Sequence, residues 1–290
     1  MTLFNLGSIN IDNFYRVPHM PAPGETLAAE EHSVGLGGKG ANQSVASARA
    51  GAQVRHIGAV GPEGDWCVKS LTQAGVDTRH ITRTKVATGH ANILIDPMGE
   101  NQIILYPGAN RAFSQDHVAE ALSDAGPGDT LILQNETTVT VEAATLAKSK
   151  GLRVIYSAAP FVADDTKAML SVTDMLVLNA VEAQQLTDAL GVGLADLQVP
   201  VVLITKGADG AVWMEEGVEV AQVPAFPVTP VDTTGAGDCF IGYVAAGLDQ
   251  GMLPEEAMRL GSAASAIKVT RFGTADAIPT RDEVDRFLQD

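Results

Sequence analysis

Basic residues are scarce: 19 Lys and Arg stand against 35 Asp and Glu, for a formal charge of −16. No block of consecutive Lys or Arg makes a local exception. A phosphate backbone or an anionic lipid surface would be repelled, which excludes nucleic acid and membrane as partners. Cysteine is nearly absent. Cys67 and Cys239 stand far apart, fitting a reduced compartment better than a disulfide-stapled secreted fold and excluding a cysteine metal cluster. No stretch of about eighteen apolar residues suggests a membrane-spanning helix, and Met1–Gly7 lacks the basic segment and apolar run of a secretory signal. A cytoplasmic location is expected. Aromatic residues make up only 5%, yet 46% of the chain is hydrophobic, ample aliphatic and Ala content for a large core.

Short runs rich in branched residues recur at Val54–Val60, Thr130–Leu133, Arg153–Tyr156, Met175–Leu178 and Val201–Thr205. They read as buried strands. Segments of helical composition lie between them, such as Val139–Lys150 and Val181–Leu190, and such alternation predicts a doubly wound α/β core with a mostly parallel sheet. Further helices are expected from near Gly237, from Pro254 to about Val269, and around Arg281–Leu288. Two segments break the alternation. Asn13–Val34 carries Pro18, Pro21, Pro23 and Gly24, while Asn92–Asp96 and Gln102–Tyr106 flank the turn Pro97-Met98-Gly99-Glu100. If paired, they form a small β sheet inserted at about 13–34 and 89–107, either a lid over a cleft or an immobile edge extension. No repeat, low-complexity tract or long linker divides residues 1–290.

Gly35-Leu36-Gly37-Gly38-Lys39-Gly40-Ala41-Asn42 precedes an Ala- and Ser-rich run, so its glycines are expected in a loop entering a helix. Exposed amides at the helix start, with Lys39 and Asn42 as donors, suit a polyol or a phosphate. An ordinary turn is the alternative. The stretch is neither a Walker loop nor a dinucleotide fingerprint. Asp232-Thr233-Thr234-Gly235-Ala236-Gly237-Asp238 again enters an apolar helix. Free amides of Gly235, Ala236 and Gly237 can form an anion hole, with Asp238 beside it to accept the proton of an attacking hydroxyl. Alternatively Asp238 only complements the helix dipole. The six histidines lack metal-ligand spacing, and no G-x-S-x-G nucleophile elbow occurs.

These two signatures, in this order, resemble those of the ribokinase-like sugar kinase family. Asn10-Ile11-Asp12, Pro23-Gly24-Glu25-Thr26, Gly108-Ala109-Asn110 and Thr270-Arg271-Phe272-Gly273 extend the resemblance along nearly the whole chain. It implies an ATP-dependent kinase acting on the primary hydroxyl of a sugar, D-ribose first among candidates and other sugars or nucleosides next. A non-catalytic sugar sensor is a further alternative. On this resemblance Asp238 is the general base and Gly235, Ala236 and Gly237 the anion hole. Asn10, Asp12, Gly38, Lys39, Asn42 and Glu136 would hold the sugar. Asn179 and Glu182 of an N-x-x-E element would lie near the phosphates and a hydrated magnesium ion, and Thr205, Lys206, Gly207, Ala208, Gly210 and Ser262 along the nucleotide.

The resemblance also implies a monovalent cation, often potassium, beside the anion hole, held largely through backbone oxygens at Asp232, Thr234, Lys268, Arg271 and Gly273, with Ala277 completing the set. Three departures from the family pattern are visible. Ala277 stands where a hydroxyl residue is common, Ser262 where His or Asn often lies near adenine, and Ser157-Ala158-Ala159-Pro160 lacks the Asn familiar before that proline. Pairing of two lids into a homodimer is a further implication.

Overall fold

The computed structural model describes residues 1–289. Its first half runs β1 (Thr2–Leu6), β2 (Asn10–Arg16), β3 (Glu31–Gly37), α1 (Lys39–Arg49), β4 (Gln53–Val60), α2 (Asp65–Gln73), β5 (Asp77–Arg83), β6 (Gly89–Ile95), β7 (Asn101–Tyr106) and α3 (Gln115–Ala121). There follow β8 (Thr130–Gln134), α4 (Thr140–Ser149), β9 (Arg153–Ser157), α5 (Ala163–Met169), β10 (Met175–Asn179), α6 (Ala180–Leu190) and β11 (Val201–Thr205). The chain continues through β12 (Ala211–Glu215), β13 (Val218–Val223), α7 (Ala236–Asp249), α8 (Pro254–Val269) and α9 (Arg281–Phe287).

The main sheet has the order β13-β12-β11-β10-β9-β8-β1-β4-β5. Its pairs are parallel from β5 to β11, and β12 and β13 close one edge as an antiparallel hairpin. Strand side chains alternate between two cores. Leu3, Ile132, Ile155, Val177 and Leu203 pack with α1, α2, α7 and α8 on one face, while Phe4, Leu131, Val154, Leu176 and Val202 pack with α3 to α6 on the other. Burial on both faces explains why these strands read as continuous apolar runs rather than alternating ones. The doubly wound expectation is met.

A second, four-stranded sheet has the order β3-β2-β6-β7. It begins at Asn10 and extends to Gly37, beyond the limits expected at 13–34. The expectation of a glycine loop is corrected here. Gly35 and Gly37 are strand residues paired with Asp12 and Asn10, and α1 starts at Lys39, directly after Gly38. The ladder overrides the usual preference of glycine for loops, and a Cβ at Gly37 would lie 1.9 Å from Asp12 Oδ2, so Asp12 could not keep its position beside a larger residue there. Among the described residues no helix is long and apolar enough to cross a membrane.

Candidate active site

The first end of α1 and the first end of α7 meet at Asp238, which is buried. Asn42 Nδ2 donates to its Oδ2 at 3.1 Å, and Gln43 Nε2 to its Oδ1 at 2.9 Å. Both oxygens are thus held as acceptors, which fixes the orientation of the carboxylate. Behind it the contacts continue into the sheet. Gln134 Nε2 donates to Gln43 Oε1 at 2.7 Å and to Asn5 Oδ1 at 3.0 Å, Asn5 Nδ2 donates to Gly40 O and Ser44 Oγ, and Ser44 Oγ meets His56 Nδ1 at 2.8 Å. His56 is fully buried, and burial lowers its pKa to about 4, so its ring is neutral at physiological pH.

The turn before α7 is shaped for an anion. Gly235 takes φ 73°, a left-handed conformation glycine adopts without penalty. The expectation of three free amides needs correction, since Ala236 N donates to Thr233 O at 3.1 Å as the turn closes. The amides of Gly235, Gly237 and Asp238 have no acceptor among the described residues. These N–H groups and the positive end of α7 favour negative charge.

Oxygen-rich side chains gather on one side of Asp238. Asn10 Oδ1 accepts from Asn110 Nδ2 at 2.7 Å. Glu136 accepts from Ser8 Oγ and, at 3.1 Å, from Lys39 N. Thr274 Oγ1 donates to Leu36 O at 2.6 Å and lies 3.5 Å from Asp12 Oδ2. Burial, reinforced by Glu136, raises the pKa of Asp12 to about 7. Burial also raises Glu136, against the pull of Lys39. Lys39 is itself raised, foremost by Asp238 and further by Glu136, Glu182 and Asp12, so one ammonium sits among four acidic side chains. Asn42 Oδ1 is buried without a partner, an orphan acceptor that a ligand hydroxyl can satisfy.

On the other side lies a cleft of about 520 Å³. Thr205, Gly207, Ala208 and Gly210 form one lip, Ala225–Val228 a wall, and Ser262, Ala266 and Val269 of α8 the other. Its mostly apolar lining suits a planar base. Gly237 borders this cleft as well as the anion turn, so the two halves meet there. Lys206, expected along the nucleotide, is exposed and not part of the lining; its amide closes the hairpin turn on Gly210 O at 2.7 Å. Asn179 and Glu182 form a reciprocal capping box on α6, each accepting a backbone N–H of the other at 2.8 Å. That pairing engages Glu182 Oε2 and leaves Oε1 available.

The residues expected around a monovalent cation do come together, but they do not fit one. Lys268 is fully buried, and its Nζ donates to Asp232 O at 2.9 Å. Asp232 Oδ1 accepts from Thr234 N at 2.9 Å and Oδ2 from Gly273 N at 3.0 Å. Arg271 turns to Glu283, 2.6 Å away, and Ala277 is buried without an oxygen in its side chain. An ammonium group therefore holds one of the oxygens assigned to the ion.

Gln43, Gln134, Asn5, Ser8, Asn110 and Thr274 are site residues that sequence reading missed. One signal was available: Asn5 and Gln134 are polar residues adjoining the buried apolar runs Leu3–Phe4 and Leu131–Leu133.

Comparison with known proteins gives the family. Residues 2–281 match the family described as pfkB family carbohydrate kinase. The Haemophilus influenzae protein named ribokinase is 38% identical, with 99% of this chain and 98% of that protein covered. The Salmonella typhimurium protein named deoxyribokinase is 31% identical, with 99% of each covered. The structure of Arabidopsis thaliana ribokinase complexed with ribose and ATP has a TM-score of 0.87 and 28% identity, covering 100% of this chain and 98% of that one. With the family matched from Thr2 almost to the last helix and a full-length relative at 38% identity, the chain belongs to the pfkB family of carbohydrate kinases.

Proposed function

We propose that the protein transfers the γ-phosphoryl group of ATP to the 5-hydroxyl of D-ribose, giving D-ribose 5-phosphate and ADP. The observation that carries this reading is the buried Asp238 carboxylate, fixed by Asn42 and Gln43 beside unpaired amides, with hydroxyl-binding groups on one side and an apolar cleft on the other. The relatives named ribokinase and the Arabidopsis complex with ribose and ATP support ribose as acceptor.

Asn10, Asp12, Glu136, Lys39 and Asn42 bind the sugar hydroxyls, Gly38 giving them backbone access, and present the 5-hydroxyl to Asp238. As its oxygen bonds to the γ-phosphorus, the proton passes to an Asp238 oxygen and the bond to the β–γ bridging oxygen breaks, releasing ADP. The Gly235 and Gly237 amides stabilise charge growing on the transferred group, while Ala236 keeps the turn in shape. Thr205, Gly207, Ala208 and Gly210 flank the nucleotide, and Ser262 lies by the base. The donor set fits magnesium: Glu182 Oε1 is outside the capping bonds, and Glu182 and Asn179 would hold the ion's water shell. Bound there, magnesium neutralises phosphate charge.

Residues 1–290 act as one kinase unit with the smaller sheet as its lid, excluding water so that the sugar alone accepts the phosphoryl group. On its edge, β7 exposes Ile103, Ile104, Leu105 and Tyr106, apolar surface that a second copy covers in a homodimer. The free, buried Cys67 and Cys239 suit a reducing cytoplasm.

ADP release from magnesium-ATP tests this, with D-ribose, 2-deoxyribose, fructose and adenosine offered as acceptors. Ribose is expected to give the highest kcat/KM. A preference for 2-deoxyribose would keep the mechanism and replace the substrate, and absence of turnover with every acceptor would overturn the reading.

A further inference from the structure

The residues around Asp232 carry a second inference, which rests on the kinase reading above. Lys268 lies in the last turn of α8, where a cation is favoured by the helix dipole. Its ammonium is fully buried and bonded to Asp232 O at 2.9 Å. Burial pushes its pKa down, while the Asp232 carboxylate acts in the opposite direction. An interior ammonium is costly to desolvate and persists only where other interactions offset that cost. Asp232 is central to the turn that bears the anion amides: its carboxylate holds Thr234 N and Gly273 N, and its own N–H donates to Val269 O at 3.1 Å. Beside the turn, Ser265 of the same helix donates to Ala236 O at 2.9 Å. The positive charge therefore sits behind the turn, on a carbonyl that a bound alkali cation would otherwise coordinate, and Ala277 supplies no hydroxyl to complete such a site.

We infer that Lys268 is a built-in cation, which orders the Asp232–Gly237 turn and biases it toward phosphate charge in place of an exogenous monovalent ion. It acts as a positioning residue, through Asp232 and without touching substrate. The consequence is a kinase whose turnover does not respond to potassium.

The test compares ADP release with magnesium, ATP and D-ribose in potassium chloride and in tetramethylammonium chloride at equal ionic strength. Equal turnover in the two salts is expected, and a rise of about tenfold or more in potassium, worth about 1.4 kcal/mol of barrier, would overturn the inference. In Lys268→Met, which keeps the bulk and removes the charge, kcat is expected to fall by about one to two decades. Potassium or ammonium ions should then restore part of it, and lithium should not. A Lys268→Met enzyme that folds and keeps full kcat in tetramethylammonium also overturns it. Melting temperature gives a readout that does not depend on the substrate: potassium should stabilise Lys268→Met relative to tetramethylammonium and leave the wild type unmoved. A wild type stabilised by potassium in particular counts against the inference even if the variant does not fold. Absence of ADP in all salts with every sugar would instead sink the kinase reading, and the melting comparison would still decide on Lys268.

Discussion

At the scale of single residues, the site holds two buried acids in different surroundings. Each oxygen of Asp238 accepts one side-chain hydrogen bond, and in the proposed reaction this residue is the general base. Replacing it as Asp238→Asn removes the acceptor, and kcat is expected to fall by about 10²- to 10⁴-fold, the usual worth of a positioned general base. Calorimetric titration should find ribose still bound. Asp12 differs. In the folded chain it keeps its proton up to about pH 7, whereas unfolded it loses it near the ordinary 3.8. The folded state binds the additional proton across that window, so stability falls as pH rises through it, by on the order of 4 kcal/mol in total. Thermal melts at both ends of the window should show this decline in the wild type and a much smaller one in Asp12→Asn. Ribose, whose hydroxyls can donate to the ionised carboxylate, should recover stability at the upper end.

At the scale of elements, α6 separates capping from chemistry. Glu182 both closes a capping box and keeps an oxygen outside it. Glutamine can fill the same capping position, so Glu182→Gln should change unfolding free energy by less than about 0.5 kcal/mol while raising the KM for magnesium-ATP several-fold. Steady-state kinetics and denaturant melts on one preparation check both halves. α6 was legible from the helical composition of Val181–Leu190, and Pro254 at the first turn of α8 marked the start of that helix. Of the parallel strands, β4, β8, β9, β10 and β11 were legible as apolar runs because both of their faces are buried. β1, α2, β5, α3, α5 and the β12–β13 hairpin were not read, since such short elements take their conformation from neighbours distant in sequence. The site was legible as two separate signatures. What could not be read was their assembly: the Gln43 bond to Asp238 spans 195 positions, and the Lys268 contact with Asp232 needs α8 laid against α7, neither of which follows from residue type or spacing.

At the scale of the whole molecule, the smaller sheet ends in a strand with all six residues exposed, four of them large and apolar. Multi-angle light scattering should give twice the mass of the 30.2 kDa chain, and Ile104→Lys should return the monomer; a monomeric wild type would count against pairing through β7. The meeting of α1 with α7 also has a temporal consequence. Asn42 and Asp238 are 196 positions apart, so at about 5–20 residues per second the ribosome releases α1 on the order of ten seconds or more before its partner exists. During that interval α1 lacks the helix that covers it, and Gln43 lacks the carboxylate it will orient. Arrival of α7 brings Asp238 to Asn42 and Gln43, and α8, the next helix made, then completes this core and the far wall of the cleft.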